Sequence, residues 1–356
     1  MNKETQTIFI GSIIPESLNE YIKLHSHAAQ YYQEKVVLAY PFKILFSINY
    51  SDVIERVDDN NNHIFITLKK NNKLYNLLKV IKIILGKTNT GDRVFFYNLS
   101  YRTFLIFEAL KFKGCKCYVI VADYTNLESL NYLSQKVIQF FINRSIKSSL
   151  GVLALNKNIK IHPNTLYQNA LIKPDMVEDM LINKISILPK TILFSGSIGI
   201  TTGIDIAIRA MDFLPEYKLI ITGTLFDISE LEMNFLLNGN CNNNIEYKGI
   251  LDRNEYLILL AQSEYGLSLR NINDSNHQYN FPSKIAEYLS FNKKVISTID
   301  YDEVSSMIYI VNYTPESVAG KIKETSDIIC ETRIEIIDQF GFVKFKENLQ
   351  KLMIEK

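Results

Sequence analysis

Short apolar runs rich in β-branched and aromatic residues alternate with helical patterns through most of this chain. That alternation constrains the fold more than any other feature, because strands separated by helices of about ten or more residues form βαβ units on parallel sheets. In the first half, strand patterns lie near 7–13, 43–49, 63–68, 93–99, 117–123 and 151–155, with helical patterns near 18–38, 73–85, 101–113 and 130–148. The second half repeats the rhythm. Its strand patterns lie near 191–195, 218–222, 245–248, 265–269, 294–297 and 308–311, and its helical patterns near 203–213, 229–237, 253–262, 283–289 and 315–328. Two such runs imply two doubly wound α/β domains. The seam is expected between Asn169 and Pro189, a segment without strand pattern that carries Pro174 and Pro189. The expected domains are 1–170 and 171–342. A terminal helix near 343–356 belongs to no further βα unit and can pack back on the first domain. Ligands of open α/β sheets sit outside the carboxyl ends of the strands, so two facing sheets would hold a cleft between them.

The length of 356 residues suits two domains at roughly 150 residues each. With 39 Lys+Arg against 38 Asp+Glu, the balanced charge argues against generic nucleic-acid binding, which needs a strongly basic face. The four cysteines, Cys115, Cys117, Cys241 and Cys330, show no metal-ligand spacing and read as reduced thiols of a cytosolic protein. The first residues are polar and run straight into Ile8-Phe9-Ile10, unlike a signal peptide. No apolar run approaches the roughly 18–20 residues of a spanning helix. The expectation is a cytoplasmic protein whose membrane contact, if any, is peripheral, at the inner face of the cell membrane.

The sharpest local segment is Tyr279-Asn280-Phe281-Pro282-Ser283-Lys284-Ile285-Ala286-Glu287-Tyr288-Leu289. Ser283 can cap a helix there, or Pro282 can occupy its first turn. Lys284 and Glu287 are three apart and share a face near the helix start. A helix N-terminus attracts anions through its N–H groups and dipole. A Lys at that point adds a charge for a phosphate, and a carboxylate one turn in can accept hydrogen bonds from sugar hydroxyls. The same spacing also describes a capped surface helix with an ordinary ion pair. Phe194-Ser195-Gly196-Ser197 is a strand ending in a Gly turn, followed by Gly203-Ile204-Asp205 opening a helix. Small residues at such a turn let a diphosphate approach the backbone, although ordinary βα turns share this form. Ile221-Thr222-Gly223 repeats the device, and Arg270 ends another strand, where a guanidinium can fork onto a phosphate or simply face solvent.

In the first half, Gly11-Ser12, Asn98 and Asp123-Tyr124 each follow a strand and would lie on the carboxyl side of a parallel sheet. Asp123 reads as a base, a hydroxyl acceptor or a cap. His25 and His27 have no acidic partner in a metal motif and read as a cleft wall or as surface. Across Lys69–Lys87, lysines are interleaved with apolar residues. This stretch suits an anionic membrane surface, and it equally suits a core-facing helix with solvated lysines.

Phe281-Pro282-Ser283-Lys284-Ile285-Ala286-Glu287-Tyr288-Leu289, followed by Lys293-Lys294-Val295-Ile296-Ser297, resembles the donor-binding segment of family-4 glycosyltransferases. It is similar in particular to a branch that builds bacterial surface polysaccharides (capsule or O-antigen), in which a strand ending in Arg precedes this segment, as Ser268-Leu269-Arg270 does here. Phe194–Ser197 with Gly203–Asp205 fits the first donor-domain turn of that family. Ala28–Gln33, Tyr97–Ser100 and Ala122–Tyr124 resemble the same branch more loosely. The resemblance implies the GT-B fold, two facing Rossmann-like domains with a cleft between them. It also implies metal-independent, retaining transfer of a hexose-type sugar from a nucleotide diphosphate sugar, without a cofactor, onto a glycan that is lipid-linked.

Carried over by position, Glu287 would bind the donor ribose, and Lys284 and Arg270 would face the diphosphate. Gly196 and Ser197 would line the same pocket, with Gly223, Phe281, Pro282 and Ser283 on the donor side. Gly11, Ser12, Asn98, Asp123 and Tyr124 would form the acceptor side, with Asp123 and Asn98 as catalytic candidates. The chain departs from the family at Tyr279, where many members carry the first of two glutamates. It departs again at Ser197 and Thr202, where they carry cations. A non-catalytic GT-B partner subunit and a GT-B nucleotide-sugar epimerase are the alternative readings.

Overall fold

The structure, a computed structural model, describes residues 5–12, 33, 35–51, 56–60, 63–69, 73–100, 103–122, 124, 132–172, 185–239, 244–271, 281–328 and 330–354. Asp123, His25, His27, Cys241 and Tyr279 lie outside the described residues, as does most of the helical pattern at 18–38, of which 33 and 35–38 are described and helical. The chain divides into two units, Met1–Leu171 with Phe342–Lys356, and Ile172–Gly341.

The first unit is built on an eight-stranded sheet: β1 (Thr7–Gly11), β2 (Ile44–Ser51), β3 (Arg56–Asn60), β4 (His63–Lys69), β5 (Arg93–Tyr97), β6 (Lys116–Val121), β7 (Val152–Ala154) and β8 (Thr165–Tyr167). The strand order is β3-β4-β2-β1-β5-β6-β7-β8. Every pairing is parallel except that of β3, which lies antiparallel on β4 at one edge. Helices α1 (Lys73–Lys87), α2 (Phe104–Phe112) and α3 (Leu133–Lys147) connect β4 to β5, β5 to β6 and β6 to β7. All three crossovers advance in the same direction across the sheet. Right-handed crossovers therefore put the three helices on one face, where α2 packs against both α1 and α3. In α1 the buried residues Asn76, Val80 and Ile84 recur every four positions and face the sheet, while Lys82 and Lys87 are exposed. Opposite that layer, Val36 and Tyr40 join Phe9, Phe95 and Tyr118 in one core with Phe345, Leu349 and Leu352 of the C-terminal helix. The Phe95 and Tyr118 rings stack with centroids 4.9 Å apart.

The second unit carries a six-stranded, all-parallel sheet: β9 (Thr191–Ile198), β10 (Lys218–Leu225), β11 (Ile245–Tyr247), β12 (Tyr265–Ser268), β13 (Lys294–Ser297) and β14 (Ile308–Ile310), in the order β11-β10-β9-β12-β13-β14. Its helices are α4 (Ile204–Ala210), α5 (Glu230–Asn238), α6 (Arg253–Gln262), α7 (Ser283–Ser290), α8 (Pro315–Glu324) and α9 (Arg333–Phe340); α10 (Phe342–Ile354) returns to the first unit. Local sequence sets several starts. Ser229 with Glu232 and Asp252 with Glu255 close capping boxes on α5 and α6, and Thr314 caps α8 ahead of Pro315. Ile192, Phe194, Leu219, Ile221, Leu267 and Ile296 of the sheet share one core with α4 and α8.

Two parallel α/β sheets are what the alternating pattern requires, and both are present. Cys115 and Cys117 are buried and Cys330 is half-buried, all three as free thiols whose pKa burial raises. No helix among the described residues is long and apolar enough to cross a membrane.

Candidate active site

Each sheet changes its direction of growth at one point, between β9 and β12 in the second unit and between β1 and β5 in the first. Connections leaving the strands at such a point go to opposite faces and open a crevice at the carboxyl ends. Among the described residues, Gly11, Ser12 and Asn98 lie at the carboxyl ends of the strands at the first point, and Gly196, Ser197 and Arg270 at the second.

In the second unit, the turn expected at Ser195-Gly196-Ser197 is absent: β9 runs on through it to Ile198, because Gly196 pairs with Gly223 of β10 and the ladder continues to Ile198 and Leu225. Both glycines adopt positive φ, 114° and 139°. A Cβ on Gly223 would lie 1.8 Å from the Gly196 carbonyl oxygen, so only glycine allows the two strand ends to meet this closely. A Cβ on Gly196 would touch the Lys284 side chain, 3.5 Å from Cε. Lys284 therefore lies across the end of β9.

Lys284 comes from the start of α7. Pro282 occupies the N-cap position without a side-chain cap, and Ser283, which the sequence offered as a cap, is the first helical residue and is exposed. Among the described residues no side chain of the N-cap position caps the first-turn amides. Phe281 anchors this start by packing its ring edge-on to Tyr301 at 5.3 Å and against Phe340 at 5.7 Å. Its side chain faces the core.

One turn on, Glu287 is only 2 % exposed, and a buried carboxylate requires partners. Lys284 Nζ lies 2.8 Å from it, and the Tyr256 hydroxyl donates to it at 3.0 Å. Lys284 Nζ also donates to the Tyr256 hydroxyl at 3.1 Å and sits 4.2 Å from the centre of its ring. The Tyr256 hydroxyl lies 3.4 Å from Ser195 Oγ. Ser195 in turn shares a 2.9 Å hydrogen bond with the hydroxyl of buried Tyr288, which also accepts from the Ser195 amide. Burial raises the Tyr288 pKa, so this hydroxyl keeps its proton. A cation and a buried carboxylate are therefore held together beside the paired Gly196 and Gly223 and the start of a helix, an arrangement able to meet an anion and hydroxyl groups.

Beyond Gly196 the chain closes on itself. The Thr202 hydroxyl donates to the Ser197 carbonyl at 2.9 Å and accepts from the Gly199 amide at 2.9 Å, and Asp227 accepts from the Thr201 amide at 2.9 Å. Burial works against ionisation of Asp227, but the hydrogen bonds from Thr201 and neighbouring amides outweigh it and hold the pKa below the usual range. Arg270 follows β12, the strand next to β9. Its amide donates to Thr298 Oγ1 at 2.8 Å, and that hydroxyl donates back to the Arg270 carbonyl at 2.7 Å. Burial pushes Tyr301 up to about 12, with the nearby Arg270 charge opposing.

In the first unit, Gly11 and Ser12 end β1, Asn98 follows β5, and half-buried Tyr124 follows β6. These ends lie side by side. Buried Gln33 bonds Ser12 twice, accepting from its amide at 2.8 Å and donating to its hydroxyl at 3.0 Å. Asn98, at a φ of 46°, accepts from the Ala122 amide at 2.7 Å and so ties the end of β5 to that of β6. That bond gives Asn98 a structural role. Tyr256 and Thr298 join these hydrogen-bond networks without having stood out in the sequence, because each reaches its partner from a distant element. Gln33, Ser195 and Tyr288 lie within segments quoted for the family resemblance, although none of them is itself a site candidate there.

No family model and no curated protein matches the chain in sequence. Solved structures match it over nearly the full length. A sucrose-phosphate synthase from Thermosynechococcus elongatus is 9 % identical with a TM-score of 0.67, covering 98 % of this chain and 98 % of that one. A trehalose-6-phosphate synthase, studied with bisubstrate glycomimetics for glycosyl transfer with retention, is 11 % identical with a TM-score of 0.67 over 98 % and 99 %. A UDP-forming α,α-trehalose-phosphate synthase from Burkholderia vietnamiensis is 8 % identical with a TM-score of 0.66 over 98 % and 99 %. Identities this low speak for the fold alone, and the fold is GT-B: two Rossmann-like domains of the kind these glycosyltransferases share.

Proposed function

We propose that this chain is a retaining glycosyltransferase that moves a sugar from a nucleotide diphosphate sugar to a lipid-linked glycan in bacterial surface polysaccharide synthesis. The observation that carries the reading is the Lys284–Glu287–Tyr256 cluster at the switch point of the second sheet. Lys284 pairs with Glu287 at 2.8 Å. A donor would exchange that pairing for two better-matched ones: Glu287 would accept from the ribose hydroxyls, and Lys284 would turn toward the diphosphate across Gly196. Arg270 supplies a second cation, and the uncapped start of α7 supplies amides. Stabilising the departing diphosphate and holding an acceptor hydroxyl against the anomeric carbon are then the main catalytic tasks. Gly11, Ser12, Asn98, Asp123 and Tyr124 are the acceptor-side candidates. The descriptions of two structural neighbours, one UDP-forming and one concerned with retention, support the donor class and the stereochemistry. With two cations on the diphosphate, turnover needs no divalent metal. A lipid-linked acceptor stays at a bilayer, and the lysines of the Lys69–Lys87 stretch would meet its anionic surface, each contributing about 1 kcal/mol.

The test is calorimetric titration of a nucleoside diphosphate into wild type and Lys284→Ala, with product formation on a lipid-linked acceptor followed in parallel. A charged hydrogen bond is worth about 1.5–3 kcal/mol, so Lys284→Ala should bind roughly 10–150-fold more weakly. Turnover should persist in a chelator. Unchanged affinity in a folded variant sinks the donor site, and activity restored only by Mg or Mn sinks metal independence. One observation favours a second reading, a non-catalytic partner subunit: at the turn where the family carries cations, Thr202 is bonded back to the Ser197 carbonyl. Donor binding without turnover across a panel of nucleotide sugars would select it.

A further inference from the structure

We propose that α3 is a bilayer anchor that inserts apolar side chains into an anionic lipid surface. The helix inverts the usual arrangement of a surface helix, whose outward face is polar. Its buried residues are Ile142, Asn143, Ser145 and Ile146. On the opposite side, Leu133, Val137 and Phe140 follow i, i+4, i+7 spacing, with Phe141 beside them. Leu133 is 79 % exposed, Phe140 56 % and Phe141 44 %. Arg144 continues the stripe at i+11, Lys136 and Lys147 flank it, and all three are exposed. The helix contains no Asp or Glu.

An outward apolar stripe on a helix whose only charged residues are cations fits an interfacial helix: the apolar side chains enter the acyl boundary while long basic side chains reach the headgroups. The rest of the same helical layer agrees. At the end of α2, Phe112 is 97 % exposed between Lys111 and Lys113. On α1, Tyr75 and Leu78 are exposed beside Lys79 and Lys82, and α1 too contains no acidic residue. The single carboxylate of α2, Glu108, accepts from the Ser145 hydroxyl of α3 at 2.5 Å and is outnumbered by the basic residues of the three helices. The charge of the layer therefore complements an anionic bilayer. The proposal deepens the lipid-linked-acceptor reading and rests on it for a biological reason to dock. It also makes a firmer claim than attraction through α1 lysines alone, because insertion survives salt that screens charge.

The experiment uses the full chain and vesicles of phosphatidylglycerol mixed with phosphatidylcholine, or of phosphatidylcholine alone. Wild type should sediment with the mixed vesicles and keep part of that binding at high salt. Phe140→Ser with Phe141→Ser should lower the partition coefficient roughly tenfold or more, and Lys136→Glu with Arg144→Glu should lower it at low salt. The chain has no tryptophan, so Phe140→Trp gives a background-free reporter whose emission should shift to the blue on mixed vesicles. Equal sedimentation of wild type and the serine pair, no vesicle binding by wild type, or an unshifted reporter would each overturn the proposal. So would a lipid-independent dimer that the serine pair dissolves, since that would assign the stripe to a second copy of the chain. Nucleoside diphosphate affinity, measured on the same variants, should not move. Its absence from wild type would count against the donor site and leave the anchor standing.

Discussion

Lys293 shows how far burial alone can move a charged residue. It follows the FPSK segment, is 2 % exposed, and donates from Nζ to the Ala261 carbonyl at 2.7 Å. Burial lowers its pKa to about 8, against the small opposing effects of Cys330 and Glu264. Between that value and the ordinary lysine value of 10.5, the unfolded chain binds more protons than the folded one, so this residue's contribution to stability rises with pH. Below about pH 8 its burial penalty is fully present, at about 3 kcal/mol. Raised thiol and tyrosine pKa values act the other way but are common to wild type and variant, apart from the small effect of the Lys293 charge on Cys330. The stability of wild type minus that of Lys293→Met, from urea unfolding, should therefore grow by about 1–2 kcal/mol between about pH 7.5 and 9.5. Parallel pH curves would refute the assignment. The residue scale also marks where reading the sequence stops. Lys284 and Glu287 stood out because three-residue spacing on a helix is a local property. Tyr256 did not, because its hydroxyl reaches Glu287 from another helix 31 positions away, and no local pattern encodes that approach.

At the scale of elements, the pairing of β9 with β10 depends on two strands meeting without side chains at Gly196 and Gly223. Gly223→Ala would put a Cβ against the Gly196 carbonyl and force an unfavourable φ. Backbone strain and overpacking each cost about 1–3 kcal/mol. Gly196→Ala pays for strain only, since its Cβ would meet the Lys284 stem at 3.5 Å, an ordinary contact. Urea unfolding should therefore show Gly223→Ala to be less stable than Gly196→Ala by about 1–3 kcal/mol; equal losses would mean that the strands separate at no cost. The elements that the alternating pattern reveals are those with a continuous apolar stretch, such as β5 (Arg93–Tyr97) and β9. Three others gave no such signal. β3 is a polar edge strand, Arg-Val-Asp-Asp-Asn, that needs one covered face at most. β8 has three residues, too few for a period. α9 has eight and buries only Ile336 and Phe340, so its apolar face is too short to stand out.

At the scale of the whole molecule, the last helix joins sequence ends that the fold brings together. Phe345, Leu349 and Leu352 of α10 recur at helical spacing, which requires that one face be buried but does not say on what. In the structure they complete the core that holds Phe9, Phe95 and Leu153, and α10 lies against β7 and β8. Asn348 adds a buried hydrogen bond of 2.8 Å to Gln168. The first unit is thus incomplete until the last residues of the chain are in place, whereas the Lys284–Glu287–Tyr256 cluster belongs wholly to the second. Phe345→Ala should therefore separate stability from donor recognition. Removing a fully buried phenylalanine costs about 3–5 kcal/mol, a loss that urea unfolding of the full chain would read. Calorimetric affinity for a nucleoside diphosphate, measured where the variant is still folded, should match wild type, because every side chain proposed to touch the donor lies between Ser195 and Thr298. A variant that loses affinity in step with stability would show that the donor site depends on the first unit. One that keeps full stability would show that the α10 face does not contribute to that core.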